Sequence, residues 1–170
     1  MIELVLALHN IRSTYNVGAI MRTAEGFGVS EVILTGYTPR VDDVRLLPHL
    51  REKLNHEIHK TALGAETLMD INACDDIMAE LRKRADEGWK IVGLENNLGK
   101  TDKFIYRINE SDLKEKLGEK LVLVLGEEVN GIDYTLYDMI SAFVEIPMRG
   151  QKESFNVSVA AGIAMAYLLI

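Results

Sequence analysis

Short, nearly continuous apolar runs alternate with amphipathic stretches along this chain. "IELVLAL" (residues 2–8), "EVILTG" (31–36), "WKIVGLE" (89–95), "KLVLVLG" (120–126) and "FVEIPM" (143–148) have the length and composition of buried strands. Between them, "NVGAIMRTAEGFG" (16–28) places Val17, Ile20, Ala24 and Phe27 on one helical stripe, with Asn16 where an N-cap would stand. "DDIMAELRKRADEG" (75–88) reads as a helix closed by Gly88, and "TLYDMISAF" (135–143) as a short one. From Pro39 to Ala65 the pattern is ambiguous, though Leu50, Leu54 and Ile58 recur at helical spacing. Strand and helix in turn predict an α/β fold, a parallel sheet with helices on both faces. Ligands of such sheets sit beyond the carboxyl ends of the strands. The loops after "VLALHN", "VGLENN", "VLVLGEE" and "VEIPM" are therefore expected to share one rim.

The segment after that rim is unusual. "GQKESFNVSVAAGIAMAYLLI" (150–170) holds no charge after Glu153 and runs from a polar turn into a helix-like stretch. Val157, Ala160, Ala161, Ala164 and Leu168 form one apolar stripe; Val159, Ile163, Ala166 and Ile170 form another. A helix apolar on two faces calls for cover on both. It is too short and too rich in Ala and Gly to suggest a membrane span.

The chain has 170 residues, expected to form one domain over 1–170. Its formal charge of −7, taken alone, argues against nucleic-acid binding, because phosphate contacts want Lys and Arg. A local exception is Arg40, Arg45, Arg51, Lys53 and Lys60 with His49, His56 and His59, nearly cancelled by Asp42, Asp43, Glu52 and Glu57. It reads either as a solvated helix face or as a phosphate-facing patch. Cys74 is the single cysteine, which excludes an internal disulfide. "MIELVLALHN" carries Glu3 and no basic flank, unlike a secretory leader, so the cytoplasm is the expected compartment.

Common ligand motifs fail. "GFG" closes a helix instead of following a strand, and "GKT" at residues 99–101 lacks the upstream glycine of a phosphate loop. His56 and His59 have no further ligand at metal-site spacing, so no metal is expected. What remains on the expected rim is polar: Asn10, Arg12, Asn16 and Arg22 near the first loop, Glu128 after "VLVLG", and Ser154 and Asn156 near the end. Taken singly, each reads as a cap, turn or surface residue.

Taken together, "NVGAIMRTAEGFG", "LVLVLGEEVNGID" and "IPMRGQKESFNVSVAAGIAMAYL" resemble the three ordered motifs of the SpoU (TrmH-like) branch of the SPOUT RNA methyltransferases. The resemblance spans residues 10–170. It implies an α/β-knot, a parallel sheet with a deep C-terminal trefoil knot. It also implies a homodimer, S-adenosylmethionine as methyl donor with S-adenosylhomocysteine as product, and 2′-O-ribose methylation of tRNA or rRNA. The catalytic set that it implies is Asn16, Arg22, Glu128, Ser154 and Asn156. Cofactor contacts, largely through backbone, are implied at Leu94, Gly126, Ile146, Met148, Ser154 and Phe155, with Gly126 and Gly150 permitting close approach. Arg22, which has been given the part of general base in this family, stays protonated in proteins. We read it as gripping a phosphate and the developing alkoxide, with the proton leaving to a phosphate oxygen, water or Glu128.

The chain departs from the family pattern in places. Glu127 stands where a small residue is usual, and Phe155 where Leu is usual. Many relatives carry an extra N-terminal RNA-binding domain, whereas this sequence opens on its first strand. The alternatives are a methyltransferase for a base, and a catalytically silent knotted dimer that binds RNA as an assembly factor.

Overall fold

A computed structural model describes residues 2–96, 98–99 and 101–170. Seven parallel strands form one sheet: β1 (Glu3–His9), β2 (Glu31–Thr35), β3 (Asp70–Cys74), β4 (Lys90–Leu94), β5 (Phe104–Arg107), β6 (Lys120–Leu125) and β7 (Ala142–Glu145). Their order is β3-β2-β1-β6-β4-β7-β5. Among the described residues, five helices accompany the sheet: α1 (Thr14–Gly26), α2 (Pro48–Ala62), α3 (Ile77–Asp86), α4 (Leu113–Leu117) and α5 (Val157–Leu169).

Alternation along the central strands divides the core. Leu4, Leu6 and Leu8 of β1 join Leu121, Leu123 and Leu125 of β6 beneath α1, α2 and α5. Val5 and Ala7 join Val122 and Val124 on the opposite face, under Ile77 and Leu81 of α3. Both faces of β1 and β6 are therefore dry, which is why these strands read as unbroken apolar runs.

Local chemistry sets the helix ends. Ser13, not Asn16, caps α1: its Oγ accepts the Asn16 N–H at 3.3 Å. That corrects the sequence-based placement and frees the Asn16 side chain. Asp76 caps α3 through the Ala79 N–H at 3.0 Å. Gly88, at φ +85°, supplies the left-handed stop after it. α2 starts at Pro48 and ends at Leu63, left-handed at φ +52°. Of its helical repeat, Ile58 is buried, Leu54 half-buried and Leu50 exposed.

The short helix expected over 135–143 is only a 3-10 turn, Tyr134–Leu136. Ser141 explains the difference: its N–H and Oγ both donate to the Ile91 carbonyl, at 2.9 and 2.8 Å, drawing the chain into β7. Strands β3 and β5 and helix α4 go beyond the sequence-based reading. No helix among the described residues is long and apolar enough to cross a membrane.

Candidate functional site

Every strand is parallel, so the carboxyl ends of β1, β4, β6 and β7 meet on one rim, as the sequence pattern predicts. A cavity of about 310 Å³ opens there. It is lined by the loop after β4 (Leu94, Glu95, Asn96), the loop after β6 (Gly126 to Gly131) and the segment entering α5 (Glu153, Ser154, Phe155). Five of the six residues expected to hold a cofactor line it: Leu94, Gly126, Ile146, Ser154 and Phe155. Met148 lies in the adjoining cavity, with Pro147 and Gly150.

Gly126 is where backbone must approach backbone. A Cβ there would stand 2.3 Å from the Gly131 carbonyl and the Ile132 nitrogen. Glu127 and Gly131 exchange two backbone hydrogen bonds at 2.9 Å, so the loop turns back sharply over the cavity. Gly150, by contrast, has open space around it. The close approach expected of both glycines is of main chain to ligand; at Gly126 the neighbour is instead the backbone of Gly131 and Ile132, and at Gly150 nothing stands within 4 Å.

Three of the five expected catalytic residues are joined at the mouth of the cavity. Asn156 donates its amide to Asn16 Oδ1 at 3.2 Å, and Asn16 donates its own to Glu128 Oε1 at 2.9 Å. The backbone N–H groups of Ser13 and Arg12 also donate to Glu128, at 3.3 and 3.2 Å. Burial would raise the Glu128 carboxyl, but these hydrogen bonds outweigh it and hold the group below the ordinary carboxylate range. Asn156 has a second task. Its Oδ1 caps α5, accepting the Ser158 N–H at 2.9 Å and the Ser158 hydroxyl at 2.7 Å.

Arg22 stands apart. It is exposed on α1 and makes no hydrogen bond or ion pair among the described residues. Six residues of helix separate it from Asn16, roughly 120° around the axis. Ser154 lines the cavity without joining the chain of hydrogen bonds.

Two residues beyond the expected set are prominent. Asn96 clamps three segments. Its side chain accepts the Ile146 N–H at 2.9 Å and donates to the Ile146 carbonyl at 2.8 Å and the Glu153 carbonyl at 3.3 Å. Glu95 accepts the N–H of Asn96 and of Ile132, both at 2.9 Å, yet burial pushes its carboxyl above the ordinary range. Its charge and burial in turn raise the Tyr137 phenol, burial more strongly. A lone Glu-Asn after a strand carries no motif; only its position on the rim could have singled it out.

Three of the eight basic residues of the segment, Arg40, Arg45 and His59, are taken up in internal pairs. Arg40 is buried, bonding the Cys74 carbonyl and Asp75, both at 2.7 Å, while Arg45 pairs with Asp43. His59 meets Glu66 at 2.6 Å. Lys100 of "GKT" and Asn97 of "VGLENN" lie outside the described residues. No group of three His, Cys, Asp or Glu side chains gathers among the described residues as metal ligands would.

Comparison with known proteins follows this geometry. Residues 3–166 match the SpoU rRNA Methylase family. A relative from Pseudomonas aeruginosa, 23S rRNA (guanosine-2'-O-)-methyltransferase RlmB, is 30% identical over 168 residues, covering 99% of this chain and 59% of that protein. Human mitochondrial rRNA methyltransferase 1 is 32% identical over 96% of this chain and 44% of its own length. The chain thus spans about half the length of these relatives. The crystal structure of an AdoMet-bound rRNA methyltransferase from Sinorhizobium meliloti superposes with a TM-score of 0.76 at 22% identity, over 98% of this chain and 55% of that one. In sequence and in fold, the chain belongs to the SpoU rRNA methylase family.

Proposed function

We propose that this chain is an S-adenosylmethionine-dependent methyltransferase acting on a ribose 2′-hydroxyl of rRNA. The observation that carries this reading is the hydrogen-bonded line Asn156–Asn16–Glu128 at the mouth of a three-loop cavity. The cavity suits the cofactor. It has the size of a small-molecule site, with apolar walls from Leu94, Ile146 and Phe155 that suit a purine and the methylene arms of a sulfonium, and a wall at Gly126 to Gly131 folded so tightly that Gly126 has no room for a Cβ.

When bound, the cofactor supplies a methyl group activated for in-line displacement. The protein's work is to aim a weak nucleophile at it. Glu128, kept ionised by its hydrogen bonds, is a poor base. Its part is to fix Asn16 and, through Asn16, Asn156. Ser154, on the cavity wall, would offer its hydroxyl to the RNA. Arg22 stabilises the backbone phosphate and the developing alkoxide with its planar fork, and the proton leaves to a phosphate oxygen or water.

Arg22 takes this role from a second copy of the chain. We infer a homodimer from two features: the Arg22 side chain has no partner among the described residues, and α5 leaves Val159 and Tyr167 exposed. α1 and α5 lie side by side, with Thr23 in contact distance of the Gly162 position, so both features belong to one side of the molecule. The family's trefoil knot, and the cytoplasm as compartment, go with this reading.

Calorimetry with S-adenosylmethionine, followed by transfer of labelled methyl groups to rRNA and mapping of 2′-O-methyl positions, tests the reading. Binding and ribose methylation are expected. Absence of cofactor binding would favour the silent RNA-binding scaffold.

A further inference from the structure

We propose that Arg12 and Tyr37 form a stacking platform for an unpaired nucleobase of the RNA, beside the reaction site. The inference rests on the RNA-directed reading above and adds a recognition site to it. The Arg12 backbone N–H is bonded to Glu128, so its side chain departs one residue from the line Asn156–Asn16–Glu128. The side chain itself is 64% exposed, is anchored by an ion pair to Glu127, and stands over the Tyr37 ring with its guanidinium carbon 6.0 Å from the centroid.

The Tyr37 ring is held in place while staying open. It follows β2 through a tight turn in which Gly36 adopts φ +64° and the Tyr37 N–H donates to Asn10 Oδ1 at 3.2 Å. A Cβ at Gly36 would stand 1.9 Å from that same oxygen, so the turn has little room to change. The residue is nonetheless 52% exposed. An aromatic ring fixed by a built turn and left bare beside a polar site is a surface for another planar group.

Charge decides which planar group. Glu127 neutralises Arg12, so the pair is no phosphate trap, and the chain as a whole carries −7. RNA affinity on an acidic surface must come from contacts other than counterion release. Stacking on tyrosine and on the guanidinium plane supplies it, and every base has a face for it. The departure from the family at Glu127 thereby acquires a purpose: its ion pair holds Arg12 beside Tyr37.

Fluorescence anisotropy with a labelled single-stranded oligoadenylate tests the platform directly. Tyr37→Ala is expected to weaken binding about tenfold, with a smaller loss on oligouridylate, whose bases stack less well. Tyr37→Trp should preserve binding. Arg12→Lys keeps the charge but loses the plane and should weaken it too. S-adenosylmethionine affinity should be unchanged in the Tyr37 variants. Equal oligoadenylate affinity in wild type and Tyr37→Ala would overturn the platform, whereas a wild type that binds RNA but no cofactor would overturn the methyltransferase reading instead.

Discussion

Asn96 reads Ile146 as a neighbouring strand would, accepting its N–H at 2.9 Å and donating to its carbonyl at 2.8 Å. One side chain thus extends the sheet past the last residue of β4 and pins the segment after β7 against the cavity. Asn96→Ala leaves two half-buried backbone groups without these partners. A loss of about 1–3 kcal/mol in unfolding free energy is expected, together with weaker S-adenosylmethionine binding. Chemical denaturation and calorimetry on one preparation measure both, and a variant as stable as wild type would contradict the clamp.

Gly126 and Gly150 make a matched pair. Gly126→Ala drives a Cβ into the Gly131–Ile132 backbone, where neither side can yield easily. Overpacking of this kind costs about 1–3 kcal/mol, and cofactor binding should fall with it. Gly150→Ala meets open space and should stay within about 0.5 kcal/mol of wild type. Similar results for the two glycines would show that the turn from Gly126 to Gly131 does not require glycine at 126.

Arg22→Lys keeps the charge and loses the fork. Turnover should drop about 100-fold, the scale of losing one preorganised donor to a developing oxyanion, while the Kd for the cofactor holds. Near-normal turnover would sink the orientation role. Mixing inactive Arg22→Ala with inactive Asn16→Ala chains should restore activity, because a mixed dimer rebuilds one intact site. No recovery after subunit exchange would place Arg22 with its own chain.

Association should run through α5. Val159→Glu places a charge on an exposed apolar position of that helix without touching the buried Ala161, Ala164 and Leu168. Wild type is expected to scatter light as a dimer at micromolar concentration and the variant as a folded monomer. A monomeric wild type would contradict the dimer outright.

Glu95 makes a prediction about pH. The folded chain holds this proton to higher pH than the unfolded one, since burial raises the carboxyl. Folding therefore binds protons there, and stability falls as pH rises from the ordinary Glu range through the raised value. Glu95→Gln removes that slope. Measured by urea denaturation from about pH 4 to about pH 7, wild type should lose stability relative to the variant as pH rises. A constant difference would show that Glu95 titrates as an ordinary glutamate.

The sheet's centre was open to reading because β1, β4 and β6 are dry on both faces. Its edges were not. β3 ("DINAC") has no fully buried residue, and β5 ("FIYR") leaves Phe104 and Ile105 exposed, so neither shows a clean period. In the site, Asn16, Glu128 and Asn156 stood out together because the three motifs set them in order. Glu95 and Asn96 did not, because a single carboxylate and a single amide after a strand look like any loop. Whether Asn16 caps its helix or reaches Glu128 depends on Ser13 taking the cap first, a competition settled by three-dimensional placement of the β6 loop.

The bond between Asn156 and Asn16 spans 140 residues of sequence. Contacts of such separation are paid for in loop entropy before they reward the chain, and they form late. A partly folded molecule could own most of its sheet and still lack any arrangement fit for chemistry. If the proposed methyl transfer is its reaction, activity is a strict reporter of finished folding, and a chain still lacking this bond is expected to be inert toward RNA.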